Sequence, residues 1–383
     1  MTRKVLHVAM NGVTGRMGYR QHLVRSLLSI REQGGVRLAD GTTVYPEPVL
    51  VGRSEARLRE IAERHGLQRW STSLDEVLAD PEVEVYFDAQ VTSAREASLS
   101  QAIAAGKHVY TEKPVAETLD GALRLARAAR QAGRTNAVVQ DKLFLPGVIK
   151  LRRLIRAGFL GRVLSARLEF GYWVFEGDEI PAQRPSWNYR AADGGGIVLD
   201  MFPHWQYLLE DLFGPFTALY ARRATHVPRR RDESGRPYDV TADDAAYAVL
   251  EFADGVIASV NSSWAVRVNR RELVELHVDG TDGSAVAGLR RCAVQQRVST
   301  PLAVWNPDLP DPVDYLAQWT EVPDNAAFDN AFKVQWEHFL RAAAEGTPLR
   351  WDLAEGAKGV QLAGLALRSS AEGRRVDVPA LVV

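Results

Sequence analysis

The stretch K-V-L-H-V-A-M-N-G-V-T-G-R-M-G, residues 4–18, admits few folds. Val5 to Met10 is a short apolar run that reads as a strand. It leads directly into G-V-T-G-R-M-G, residues 12–18, and a helical pattern follows from Gly15 to about Ile30. Strand, glycine turn and helix in immediate succession open a βα unit. The glycines permit a tight turn and close backbone approach, so amides at the helix N-terminus can hold a pyrophosphate. Gly12, Thr14, Gly15, Arg16, Met17 and Gly18 are therefore candidate dinucleotide contacts. The spacing is G-x-x-G-x-x-G, with Thr14 in the place of the second glycine of G-x-G-x-x-G.

After a long, Gly-rich connection from Gly34 to Glu47, Pro48 to Val51 reads as the second strand and ends in Gly52-Arg53-Ser54. A site specific for an unphosphorylated ribose places an acid at this strand end, and none is present. Arg53 and Ser54 supply a guanidinium fork and a hydroxyl, suited to a 2′-phosphate, so the pair points to NADP in preference to NAD. The plain alternative is that Arg53 is a solvated loop charge. Helices are expected over 55–66, 75–79, 93–105 and 117–131, with strands over 82–89, 107–110 and 137–140. This alternation means a parallel sheet with ligands at its carboxyl edge. Residues 1–142 are expected as a Rossmann dinucleotide-binding domain.

From Arg162 the pattern changes to strands, beginning with V-L-S-A-R-L-E-F-G-Y. Ala246 to Ala253 and Val256 to Asn261 flank Asp254-Gly255, a hairpin dipeptide, and Glu272 to Val278 adds a strand before the G-T-D-G turn at 280–283. Helices are expected from Gly147 to Ala157, Phe328 to Ala344 and Leu353 to Arg368. Residues 143–383 should form an α+β domain with a large, mostly antiparallel open sheet.

Two motifs carry the chemistry. G-G-G-I-V-L-D-M-F-P-H, residues 194–204, sets Asp200 and His204 four apart, so a helix there raises both from one face. The glycines let backbone approach a ligand that a Cβ would push away. The alternative is a plain loop, with Asp200 capping a helix whose first turn holds Pro203. Upstream, V-Y-T-E-K-P-V-A-E, residues 109–117, ends an apolar run in Glu112-Lys113-Pro114, where the proline alone is no more than a strand terminator. Together, Glu-Lys-Pro after a strand and G-G-G-x-x-x-D-x-x-x-H resemble the Gfo/Idh/MocA family of nicotinamide-dependent sugar and cyclitol oxidoreductases. The resemblance runs from Lys4 to about Val378.

That resemblance implies hydride transfer between C4 of a nicotinamide and a secondary alcohol carbon of a sugar, sugar derivative or cyclitol. It implies that His204 takes the hydroxyl proton, Lys113 hydrogen-bonds the same oxygen, and Asp200 orients substrate or imidazole. It also implies a spare sheet face used as an oligomer interface, hence a homodimer or homotetramer. The family normally carries T-P-N-x-x-H along the nicotinamide ribose. This chain has Gln90-Val91-Thr92-Ser93-Ala94-Arg95, with Arg95 where the histidine would stand. Gln90 and Thr92 remain candidate cofactor contacts, as do Glu112 and Lys113. Lys142 sits where the family often has an arginine near a helix-opening proline, which makes it a candidate substrate contact.

Trp173, Trp187, Tyr189 and Arg190 precede the glycine triplet. Rings with one polar edge can wall a sugar's apolar face, and arginine can bind hydroxyls; cover for a sheet or a subunit contact is the competing reading for Trp173 above all. Three rivals share parts of the pattern. One is a glycosidase working by transient oxidation and elimination. Another is a non-catalytic cofactor- or sugar-sensing regulator, against which Lys113, Asp200 and His204 stand. The third is dihydrodipicolinate reductase, whose turn G-x-x-G-R-M-G resembles, but chain length and the second motif oppose it.

The 383 residues exceed one core and suit two domains. A net charge of −1 gives no reason to expect nucleic acid or an anionic membrane as partner. Arg222, Arg223 and Arg229 to Arg231, followed by Asp232 and Glu233, read as a solvated loop. Cys292 is the single cysteine, so there is neither an intramolecular disulfide nor a Cys-based metal set. No metal is expected, and His338 reads as a packed or surface histidine. No apolar run suits a signal peptide or membrane span, so the cytoplasm is the expected compartment.

Overall fold

The computed structural model describes residues 2–300, 308–310, 314 and 316–383. They divide into two units. The first comprises Met1–Phe144, Asp329–Gln361 and Leu381–Val383. Its strands are β1 (Arg3–Asn11), β2 (Val36–Arg37), β3 (Thr43–Val51), β4 (Arg69–Ser71), β5 (Val83–Asp88), β6 (His108–Thr111) and β7 (Asn136–Val138). All but β2 run parallel, in the order β4-β3-β1-β5-β6-β7. The chain thus winds outward in both directions from β1, the doubly wound arrangement whose ligands lie at the carboxyl edge beside the first strand.

The helices between these strands follow their sequence signals. α1 (Met17–Leu28, wound in π turns, continued α-helically by Ser29–Glu32) leaves the glycine turn. α2 (Glu55–His65) starts at Ser54, whose side chain accepts the Arg57 N–H, and stops at Gly66 with φ of 63°. α3 (Leu74–Ala79), α4 (Thr92–Ala104) and α5 (Leu119–Ala132) complete the set.

Two expectations need correction here. The stretch expected as a connection from Gly34 to Glu47 is partly a hairpin: β2 pairs antiparallel with Thr43 and Val44, and β3 reaches back to Thr43. Pro46 and Pro48 concealed this strand. Among the described residues, nothing pairs with the outer edge of β3 between the partners of β2 and those of β4, which is where a sheet tolerates residues without an N–H.

The second correction concerns the single boundary at residue 142. α6 (Pro146–Arg156) and α7 (Ile197–Phe213) belong to the second unit, but α8 (Ala331–Glu345) belongs to the first. Trp336, Phe339 and Leu340 are fully buried among Leu6, Val8, Met10, Leu23 and Tyr110, and Phe339 stacks on Tyr110 with centroids 4.9 Å apart. Each such side chain contributes about 1.5–3 kcal/mol on burial, so the Rossmann core draws the helix to itself across a long stretch of sequence.

The second unit, Leu145–Phe328 with Leu362–Ala380, is built on a nine-stranded sheet. Its strands are β8 (Val163–Phe170), β9 (Phe216–Ala224), β12 (Ala245–Phe252), β13 (Ile257–Ser263), β14 (Val274–Gly280), β15 (Gly283–Ala287), β16 (Cys292–Gln296), β17 (Thr320–Glu321) and β18 (Val376–Asp377); β10 (Arg229–Arg231) and β11 (Pro237–Asp239) form a separate ribbon. Only β8 and β13 pair in parallel, so the sheet is mostly antiparallel. The β12–β13 hairpin turns at Gly255, with φ of 80°. Leu164, Tyr220, Tyr247, Val249 and Ile257 remain exposed on its strands. α9 (Leu353–Glu372) starts in the first unit and ends in the second. Among the described residues, no helix is long and apolar enough to cross a membrane, and no cluster of three or more His, Cys, Asp or Glu has the makings of a metal site.

Candidate active site

In the first unit the candidate residues gather at the carboxyl ends of β1, β3, β5 and β6. Gly12 takes φ of 81°, and a Cβ there would stand 2.6 Å from the Ala89 carbonyl carbon; one on Gly18 would stand 2.5 Å from the Gly12 oxygen. The glycines therefore bring the turn against the end of β5 and seat α1 on the turn. Thr14 leans toward the end of β3, its Cγ2 3.7 Å from where a Gly52 Cβ would lie. The first-turn amides of α1 stand at this corner, and a helix N-terminus with unmatched N–H groups is what a pyrophosphate needs. The residues present fit a dinucleotide.

Arg53 is exposed at the end of β3, while Ser54 is occupied as the N-cap of α2, at 3.5 Å from the Arg57 nitrogen. At the end of β5, Gln90 is held on three sides. Its N–H donates to Asp88 Oδ1 (3.0 Å), its carbonyl accepts from Arg95 Nη2 (2.6 Å), and its side-chain oxygen accepts from Ser98 (2.8 Å). Thr92 is half-buried at the first position of α4.

Arg95 is the residue whose role the sequence left open. It is buried, pairs through Nε with Asp88 Oδ1 at 3.1 Å, and donates from Nη1 to the Pro114 carbonyl. One guanidinium thus ties the β5 end to the Glu112-Lys113-Pro114 turn, whose Lys113-Pro114 bond is cis. Glu112 is buried and accepts from His22 Nε2 at 2.8 Å. Lys142 lies in a single 3-10 turn, Asp141–Phe144, 3.5 Å from Asp141 Oδ2.

In the second unit the glycine triplet folds against the chain itself. A Cβ on Gly195 would stand 2.5 Å from the carbonyl oxygens of Trp187 and Asn188, and Gly196, at φ of 126°, abuts Asp243. Gly195 is thus required by the close approach of Trp187 and Asn188, and Gly196 by that of Asp243. Asp243 also caps α7: its carbonyl accepts the Ile197 N–H at 3.0 Å and its Oδ2 the Val198 N–H at 2.9 Å. Asp200, released from capping, projects from the same face as His204, one turn on. Pro203 sits in the helix interior, not its first turn.

Both side chains have partners that the sequence did not announce. Asp200 Oδ2 lies 2.7 Å from Arg184 Nη1, and the Arg184 guanidinium stacks over Trp264 and Phe175 at 4.5 and 5.1 Å. His204 is buried, with Nδ1 2.7 Å from the Tyr207 hydroxyl. Arg184 falls in a stretch without periodicity, so only its place before Pro185 marked it; Tyr207, three residues past His204 on α7, was the more legible of the two.

Of the expected pocket aromatics, Tyr189 is corrected outright. It is fully buried, donates its hydroxyl to the Phe175 carbonyl at 2.7 Å, and carries the Arg230 guanidinium 4.2 Å from its ring centroid. It builds the core of this unit. Trp187 is exposed; Arg190 stacks on Tyr238 at 4.8 Å and lies 3.8 Å from Asp193. Trp173, half-buried, meets the Tyr172 ring.

Comparison with known proteins decides the lineage. Residues 6–140 match the model of the oxidoreductase family with an NAD-binding Rossmann fold, and residues 148–286 match the GFO/IDH/MocA C-terminal domain. The chain belongs to the Gfo/Idh/MocA family. This oxidoreductase is 57% identical over 383 residues to a D-xylose dehydrogenase of Paenarthrobacter nicotinovorans, covering 99% of each chain. It is 24% identical over 343 residues to a levoglucosan dehydrogenase of Pseudarthrobacter phenanthrenivorans, covering 84% of this chain and 86% of the other. A solved levoglucosan dehydrogenase in complex with NADH and levoglucosan superposes with a TM-score of 0.81 at 22% identity, covering 98% of this chain and all of that one. The last likeness bears on the fold, and the Gfo/Idh/MocA architecture expected from the two motifs is the one present.

Proposed function

We propose that this Gfo/Idh/MocA oxidoreductase is a sugar dehydrogenase acting on D-xylose or a closely similar aldose. The observation that carries this is the 57% identity to a D-xylose dehydrogenase over the full length of both chains. The chemistry a bound nicotinamide supplies is hydride acceptance at C4. In the ring form of an aldose, loss of hydride from C1 and of the proton from its hydroxyl gives a lactone. His204 takes that proton at the nitrogen opposite Tyr207, Lys113 hydrogen-bonds the same oxygen, and Asp200, oriented by Arg184, accepts from a neighbouring sugar hydroxyl. Trp187, Arg190 and Lys142 are further candidates for the sugar's remaining edge.

On the cofactor side, Gly12, Thr14, Gly15, Arg16, Met17 and Gly18 hold the pyrophosphate, with Gln90 and Thr92 toward the nicotinamide and Glu112 behind Lys113. With Ser54 engaged as a helix cap, Arg53 is the residue left to read a 2′-phosphate, so NADP is the proposed preference. The exposed apolar residues of the nine-stranded sheet serve as a homo-oligomer interface, which light scattering checks directly.

The test is steady-state turnover of the purified protein with D-xylose and a panel of aldoses and cyclitols, each with NADP and NAD in parallel. Turnover of xylose with lactone as product supports the assignment. Turnover of cyclitols alone overturns the substrate class, and a preference for NAD overturns the role of Arg53.

A further inference from the structure

We propose that Trp336 fixes His22 as the neutral Nε2–H tautomer, a permanent donor to Glu112, and that this buried pair positions Lys113. An indole N–H can only donate. Trp336 Nε1 lies 3.0 Å from His22 Nδ1, so Nδ1 presents a lone pair and the ring proton is on Nε2. From there it is donated to Glu112 Oε1 at 2.8 Å, while Glu112 Oε2 accepts the backbone N–H of Lys113 at 3.2 Å. With both oxygens accepting, Glu112 is a carboxylate.

An imidazolium in this place would set two N–H donors face to face in a dry cluster. The ring meets Phe87 from β5 with centroids at 4.3 Å, Tyr110 from β6 at 6.4 Å, and Phe332 from α8 at 5.2 Å. The titratable groups facing it are the Glu112 carboxyl and the Tyr110 phenol, itself pushed far up by burial. Lys333, on α8, is bound to Asp329 and Glu337. Nothing there rewards protonation except Glu112, and Trp336 blocks the second proton. Lys113 is thus anchored by three hydrogen bonds in series from α8.

Trp336, His22 and Glu112 are positioning residues, and that half of the proposal rests on the role given to Lys113 above; the tautomer does not. The test begins with the full chain carrying 15N-labelled histidine, using long-range NMR correlations with His22 assigned by comparison with His22→Gln. Neutral, Nε2-protonated His22 is expected at neutral pH. An imidazolium or Nδ1–H form in the wild type overturns the proposal.

The second arm compares His22→Gln with His22→Leu. A glutamine offers the same acceptor to Trp336 and the same donor to Glu112. It should keep kcat within about threefold, whereas leucine should lower kcat about tenfold or more with cofactor affinity unchanged. Equal kcat in the two variants overturns the positioning role. A wild type that turns over no sugar strikes the functional reading instead, and the NMR result still decides the tautomer.

Discussion

Arg184 Nη1 lies 2.7 Å from Asp200 Oδ2, with the guanidinium clamped against Trp264. The negative charge of Asp200 is therefore already matched within its own unit. A carboxylate so held is a well-aimed hydrogen-bond acceptor.

Replacing Arg184 by methionine keeps the bulk over Trp264 and removes the fork. We expect kcat/KM for the sugar to fall roughly 10- to 100-fold, the scale of a small misplacement of a binding group. Arg184→Lys should recover only part, since an ammonium keeps the charge but not the fork. Unchanged kcat/KM in Arg184→Met would separate Asp200 from substrate orientation.

His204→Ala should lower kcat by roughly 10²- to 10⁴-fold with little change in cofactor affinity. Tyr207→Phe keeps the ring and removes the hydroxyl 2.7 Å from Nδ1. Because tyrosine is a neutral partner, its loss should cost less than tenfold in kcat while moving the pH profile of kcat. Equal turnover by His204→Ala and the wild type removes His204 from the mechanism.

His108, at the start of β6, accepts the Thr135 N–H on Nδ1 at 3.0 Å, and its pKa is lowered to about 4 by burial, then by Arg134 and Lys4. The unfolded imidazole takes its proton near pH 6.5. Between these values the unfolded chain binds the extra proton, so stability falls as pH drops from about 6.5 to 4 and levels off below. Urea unfolding across this window should show a shallower acid-side loss in His108→Gln, and an identical slope would assign the loss to other groups.

Phe339→Ala removes a fully buried ring stacked on Tyr110. We expect a loss of about 3–5 kcal/mol, read by chemical unfolding followed with nucleotide-binding fluorescence. A much smaller loss would mean that α8 only skirts the Rossmann core.

Wherever one residue dictates its own backbone, the sequence was legible. Gly12, Gly66 and Gly255 end or turn their elements because only glycine suits the positive φ there, and Asp200 and His204 share a face because four residues make about one helical turn. What stayed hidden depends on residues far apart in the chain. Tyr189 reads as a sugar-stacking ring until Arg230 and Trp264 close over it. Nothing local marks Asp243 as the cap of a helix that begins 46 residues earlier. Arg95 departs from its family's pattern at a position whose purpose is visible only once Asp88 and the Pro114 carbonyl converge on it.

The placement of α8 also sets an order of events at the ribosome. The nucleotide-binding unit lacks α8 when residue 144 has been made, and acquires it only after residue 345. At typical translation rates of about 5–20 residues per second, that is roughly ten to forty seconds of an open hydrophobic face on β1, β6 and α1. A nascent chain in this interval is a client for a holdase, and a fragment cut at the apparent end of the Rossmann domain inherits the same exposed face permanently.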